Sequence, residues 1–261
     1  MTLVVATTAA SLMLMFGFQT DLIFPVHAVG KAGPLPAHAE RLSVRTGDGE
    51  RLEGIHIPAE ISDSSRTLIL GFGGNAWNGQ HVAEYLHQIY PAHDVIAFHY
   101  RGYRPSTGSP SGEALIADAP LVYDAAVNHL KPARVIGVGF SIGTGVVAQL
   151  AAKRKLDGII LVTPFDSLKA VAESLYPWLP IGPFFRHEID AARPLQQSHV
   201  RVAIIAAAKD EIVPKARTEA LRHAVKNLVY ERTIAGAGHN DIYGRSDFHD
   251  AMHEALDRLK A

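Results

Sequence analysis

Three residue types able to share an acyl-transfer reaction occur in this chain at Ser141, Asp210 and His239. Ser141 lies in VIGVGFSIGTG, with Gly139 and Gly143 two residues to either side. A serine hydroxyl is a weak nucleophile until a base removes its proton, and the base needs a carboxylate to fix its tautomer and stabilise its charged form. Asp210 follows the apolar run of IIAAAKDEIVP, and His239 is flanked by glycine in TIAGAGHNDIY. Asp210 is preferred to Glu211 because it leaves the apolar run first and has the shorter side chain. Asp241 is a candidate for holding the histidine loop. An oxyanion needs two backbone donors. The N–H groups of Ile142, directly after the serine, and of Asn75 in LILGFGGNAWNG, with Ala76 second, are the candidates.

The elements around these residues are those such a site requires. An apolar run, RVIGV, leads into Ser141, and TGVVAQLAAKRK leads out with helical character. A sharp strand-to-helix turn strains the serine backbone, and glycine at the flanking positions avoids collision with neighbouring main chain. The bare glycine spacing would arise by chance about 0.1 times in a chain of this composition, so the strand and helix around it carry the inference.

Short apolar runs at Thr67–Phe72, Val95–His99, Arg134–Val138, Gly158–Val162 and Val202–Ala206, with another at Asn227–Ile234, alternate with helical patterns. This predicts a mostly parallel sheet with right-handed crossovers. Before it, RLSVRT and RLEGIHIPA flank GDG and predict an antiparallel hairpin over Arg41–Pro58. The expected organisation is an apolar segment at 1–20, a linker at 21–39 and one α/β domain at 40–261.

Twenty-five basic residues against 26 acidic ones leave no field to hold nucleic acid, and the absence of cysteine excludes a thiol nucleophile or disulfide framework. The first 18 residues carry no charge and would span about 27 Å as a helix, which predicts a transmembrane anchor, with a cytoplasmic location as the alternative. GFGGNA resembles a dinucleotide-binding turn, but the following strand ends in His99 and Tyr100 instead of an acid. His249 and His253 have a spacing that can chelate, yet a solvated helix face explains them without a metal. No cofactor or metal is expected.

Taken together, LILGFGGNAWNG, DVIAFHYRGYRPSTGSPS, GEALIADA, GVGFSIGTG, DEIVP and GHND resemble successive blocks of α/β-hydrolase-fold serine hydrolases, in the group of alpha/beta-hydrolase-domain and serine-aminopeptidase-like proteins. The resemblance runs from about Arg41 to the C-terminus. It implies Ser141 as nucleophile, Asp210 as acid, His239 as base, the Asn75 and Ile142 amides as oxyanion donors, and a carboxylic ester or thioester substrate cleaved through an acyl-enzyme. A peptidase or amidase with the same triad, or a catalytically silent scaffold, are the alternatives. The family usually has HGN where this chain has Gly73-Gly74-Asn75, and RGYG where it has Arg101 to Arg104. The stretch from Thr163 to Leu195, with Tyr176, Trp178, Phe184 and Phe185, lies where this fold inserts a lid and suggests a short apolar one.

Overall fold

In the computed structural model, which describes residues 18–61 and 66–261, eight strands form one sheet: β1 (Glu40–Arg45), β2 (Arg51–Ile57), β3 (Thr67–Phe72), β4 (Asp94–Phe98), β5 (Arg134–Phe140), β6 (Gly158–Val162), β7 (Val202–Ala207) and β8 (Leu228–Ile234). Their order across the sheet is β1-β2-β4-β3-β5-β6-β7-β8. The hairpin is antiparallel and β2 joins β4 antiparallel, whereas every later pairing is parallel. The expected hairpin and parallel sheet are therefore present, with strand ends displaced by no more than two residues.

β3 and β6 are buried along their whole length, as strands covered on both faces must be. The covering helices are α1 (Gly79–Ile89), α2 (Gly112–Leu130), α3 (Ile142–Ala151), α4 (Leu168–Leu175), α5 (Ala192–Leu195), α6 (Lys215–Ala224) and α7 (Ser246–Lys260). One apolar core joins α2 and α3 to the sheet through residues such as Leu115, Val122 and Val146. A second joins α1 and α7 through Val82, Leu86, Phe248 and Met252. Asn78 and Ser111 cap α1 and α2, their side-chain oxygens accepting the N–H groups of His81 and Ala114.

The stretch expected as a linker is anchored to the body. Residues 18–23 are helical, and Phe24 behind them is fully buried. Asn78 Nδ2 donates to the Gly30 carbonyl, and Gln80 Nε2 to those of Gly33 and Pro34. Proline and glycine prevent regular structure here, so side chains of α1 satisfy the carbonyls that a sheet or helix would otherwise pair. Among the described residues no helix is long and apolar enough to cross a membrane. The expected anchor lies, except for Phe18, outside the described residues.

Candidate active site

Ser141 joins β5 to α3 with φ 50° and ψ −115°, a conformation that costs a non-glycine residue on the order of 1–3 kcal/mol. Its N–H is held by the Val162 carbonyl at 2.9 Å, and its carbonyl accepts from Thr144 Oγ1 at 2.6 Å. The flanking glycines are required by contact. A Cβ on Gly143 would lie 2.2 Å from the Phe72 carbonyl oxygen, and one on Gly139 would lie 2.5 Å from that of Gly143. Both obstacles are main chain and cannot swing aside. Gly137 and Gly145 serve a different need, letting Val147 and Ile189 approach, each within 2.4 Å of where a Cβ would sit.

The three residues singled out from the sequence meet at the C-terminal edge of the sheet, although His239 is 98 positions from Ser141. His239 Nε2 lies 2.9 Å from Ser141 Oγ, and Nδ1 lies 2.9 and 2.8 Å from the two Asp210 carboxylate oxygens. Both side chains of the His–Asp pair are more than nine-tenths buried. Asp210 is itself pinned, because its Oδ1 accepts the N–H groups of Ile212 and Val213 at 3.0 and 2.7 Å. An acceptor on one ring nitrogen directs the imidazole lone pair to the other, here toward the hydroxyl.

The histidine loop is tied from both sides. Asp241 Oδ1 accepts the Gly238 N–H at 2.8 Å, and Glu211 Oε2 accepts the His239 N–H at 3.1 Å. Glu211 is exposed, yet it has a positioning contact that its place in the sequence did not disclose.

Gly74, Asn75, Ala76 and Ile142, which include the residues whose amides are the oxyanion candidates, line the cavity beside Ser141. The turn carrying Asn75 is held from behind by two tyrosines, Tyr103 fully buried and Tyr100 half-buried. Tyr100 Oη donates to the Gly73 carbonyl at 2.8 Å, and Tyr103 Oη donates to that of Asn75. Burial raises the pKa of both phenols, which keeps them as donors. Next to them Arg101 forms a two-pronged contact with the buried Asp118, at 3.0 and 2.7 Å, and also binds Asp48. These roles escaped sequence reasoning because a tyrosine that bonds a carbonyl 27 or 28 residues away has no local signature.

The cavity encloses about 630 Å³. Its walls are largely apolar: Leu168, Val171 and Leu175 of α4, Phe185 after it, and Tyr243 beside His239. Burial pushes the Tyr243 phenol up to about 12, so it stays neutral beside Asp210. The 163–195 stretch thus forms a short cover, as expected, in which Tyr176 and Phe184 line the cavity while remaining partly exposed, and Trp178 is exposed. Leu22 and Ile23 from the N-terminal turn complete the wall.

The helical pair His249 and His253 is used in packing. His249 Nε2 contacts the Tyr243 carbonyl at 3.0 Å, and the His253 ring meets Tyr90 edge to face. The solvated-face expectation is corrected for His249, which is half-buried because Tyr85 and Phe248 also close over its ring.

Comparison with known proteins agrees with this architecture. Residues 68–197 match the family described as alpha/beta hydrolase fold. The chain is 33% identical to an uncharacterized protein of Mycobacterium tuberculosis, over 91% of this chain and 86% of that one. It is 30% identical to the lysophosphatidylserine lipase ABHD12 of Danio rerio, over 58% of this chain and 45% of that protein. An esterase of Pyrococcus furiosus superposes with a TM-score of 0.68 at 18% identity, covering 89% of this chain and 96% of its own. The strained serine between β5 and α3, the eight-stranded sheet around it and these matches lead to one conclusion: the chain belongs to the alpha/beta hydrolase fold family.

Proposed function

We propose that the protein is a serine hydrolase that cleaves carboxylic esters or thioesters bearing an apolar acyl chain. The observation that carries this reading is the Ser141–His239–Asp210 hydrogen-bonded chain opening onto an apolar cavity of about 630 Å³. In the proposed reaction Ser141 Oγ attacks the acyl carbon while its proton passes to His239 Nε2. The oxyanion accepts hydrogen bonds from the N–H groups of Ile142 and Asn75. Collapse of the tetrahedral species expels the alcohol or thiol with the proton from His239. Water, deprotonated by the same nitrogen, then releases the acid from Ser141.

The apolar walls favour a hydrocarbon acyl group over a peptide, whose amides would lose hydration without finding partners there. We place the substrate entrance toward a lipid surface, with residues 1–18 as a membrane anchor. Support comes from the uncharged sequence of those residues and from the exposure of Phe18, Leu22, Tyr176, Trp178 and Phe184 near the cavity. The similarity to a lysophosphatidylserine lipase is consistent with an amphiphilic ester.

A fluorophosphonate probe tests the nucleophile: wild type is labelled and Ser141→Ala is not. Labelling that persists in the variant removes Ser141 from that role, and absence of labelling in both favours a silent scaffold. A panel of p-nitrophenyl acyl esters beside peptide amides then tests the bond type. Faster turnover of the amides would replace this reading with a peptidase.

A further inference from the structure

The opposite end of the sheet holds a second cluster of histidine and carboxylate. Glu40, the first residue of β1, pairs directly with His56 near the end of β2, so their side chains share a face. The last turn of α2 brings His129 to the same point. His129 Nε2 lies 3.2 Å from Glu40 Oε2 and 3.4 Å from His56 Nδ1, and Glu40 Oε2 lies 3.7 Å from His56 Nδ1. The His56 ring is buried, and its other nitrogen, Nε2, lies 2.8 Å from Asp94 Oδ1.

The proton inventory at this point is short. With Nε2–H directed at Asp94, His56 Nδ1 presents a lone pair, and Glu40 Oε2 is an acceptor. His129 Nε2 carries one proton at most when neutral, yet it faces both acceptors. A cation at the centre satisfies all three atoms at once. The spacing is also appropriate: ligand atoms about 2.05 Å from a tetrahedral zinc stand about 3.3 Å apart, close to the three separations here. An octahedral ion with similar bond lengths would bring them to about 2.9 Å. Two carboxylates, one binding and one behind His56, offset a divalent charge. A carboxylate behind a metal-binding imidazole is a recurrent means of fixing its tautomer.

We propose that Glu40 Oε2, His56 Nδ1 and His129 Nε2 form a zinc site, with Asp94 positioning His56 and water taking the fourth position on the exposed side. The site lies at the end of the sheet where β4 begins, whereas Ser141 follows the end of the parallel strand β5. Its role is therefore structural: it ties the β1–β2 edge to the end of α2. It stands independently of the proposed hydrolase activity.

The test is calorimetric titration of the full chain with zinc chloride after dialysis against a chelator, paired with thermal melts. Wild type should take up one zinc per chain and melt at higher temperature with zinc present. Glu40→Gln and His129→Asn, both at solvent-accessible positions that leave the core intact, should each bind at least about tenfold more weakly and lose the shift in Tm. His253→Asn, remote on α7, should behave as wild type. Absence of zinc uptake by wild type would overturn the proposal. So would uptake that either ligand variant leaves unchanged.

Discussion

The two ends of the sheet each hold a buried histidine whose ring is fixed by an aspartate, His239 by Asp210 and His56 by Asp94. What differs is the partner of the remaining nitrogen. At the C-terminal edge Nε2 of His239 faces one hydroxyl at 2.9 Å, beside an apolar cavity. At the other end Nδ1 of His56 faces Glu40 and His129, on a surface open to water. The same pair thus turns a ring nitrogen toward a hydroxyl at one end, and toward another imidazole and a carboxylate at the other. A His–Asp contact alone assigns neither role.

Substitutions that separate the two ends break the comparison most sharply. Ser141→Ala should lower kcat on a p-nitrophenyl ester by about 10⁴-fold or more while zinc uptake is unchanged. Asp210→Asn, which leaves the wrong ring nitrogen protonated, should cost up to about 10⁴-fold in kcat with binding of substrate little altered. Asp94→Asn makes the same chemical change at the other end, and kcat should stay within about twofold while zinc affinity falls about 10–100-fold. An equal loss of kcat in the two asparagine variants would erase the distinction.

Two smaller effects concern what supports the end of the sheet that carries Ser141. Arg101→Ala strands the buried Asp118 carboxylate and should lower unfolding free energy by about 3 kcal/mol in urea titrations. Buried His99 accepts the Gly79 N–H, and burial depresses its pKa to about 4. The unfolded chain therefore binds a proton near pH 6.5 that the native chain refuses until about pH 4. Its contribution is complete above about pH 6.5 and is lost as pH falls toward 4, by up to about 3 kcal/mol. His99→Asn should flatten that part of the stability profile; an unchanged slope would assign the loss to other groups.

How much of this was legible depended on distance along the chain. Ser141 announces itself because Gly139 and Gly143 answer a steric demand only a few residues away. Asp210 and His239 were recoverable because each follows a strand, and parallel strands deliver their C-terminal ends to one edge. The tyrosine clamps behind Asn75 were not, since nothing near Tyr100 or Tyr103 encodes the carbonyls they reach. The Glu40–His56–His129 cluster required the register of the hairpin together with the exit of a helix 73 residues beyond His56. The stretch at 21–39, expected as a linker, makes a further point. Its glycine and proline content reports the absence of regular structure, which is compatible with firm attachment through Phe24 and α1.

That attachment bears on how the protein can be shortened. Gln19 Nε2 donates to the Phe184 carbonyl and Gln19 Oε1 accepts from Arg186, so the turn clasps the cover of the cavity. A chain cut back to Glu40 to remove its greasy start would retain Ser141, Asp210 and His239 yet lose part of the cavity wall, a core phenylalanine and the clasp. The described residues ahead of the first strand, from Phe18 onward, are better regarded as the hem of the cavity than as a leash.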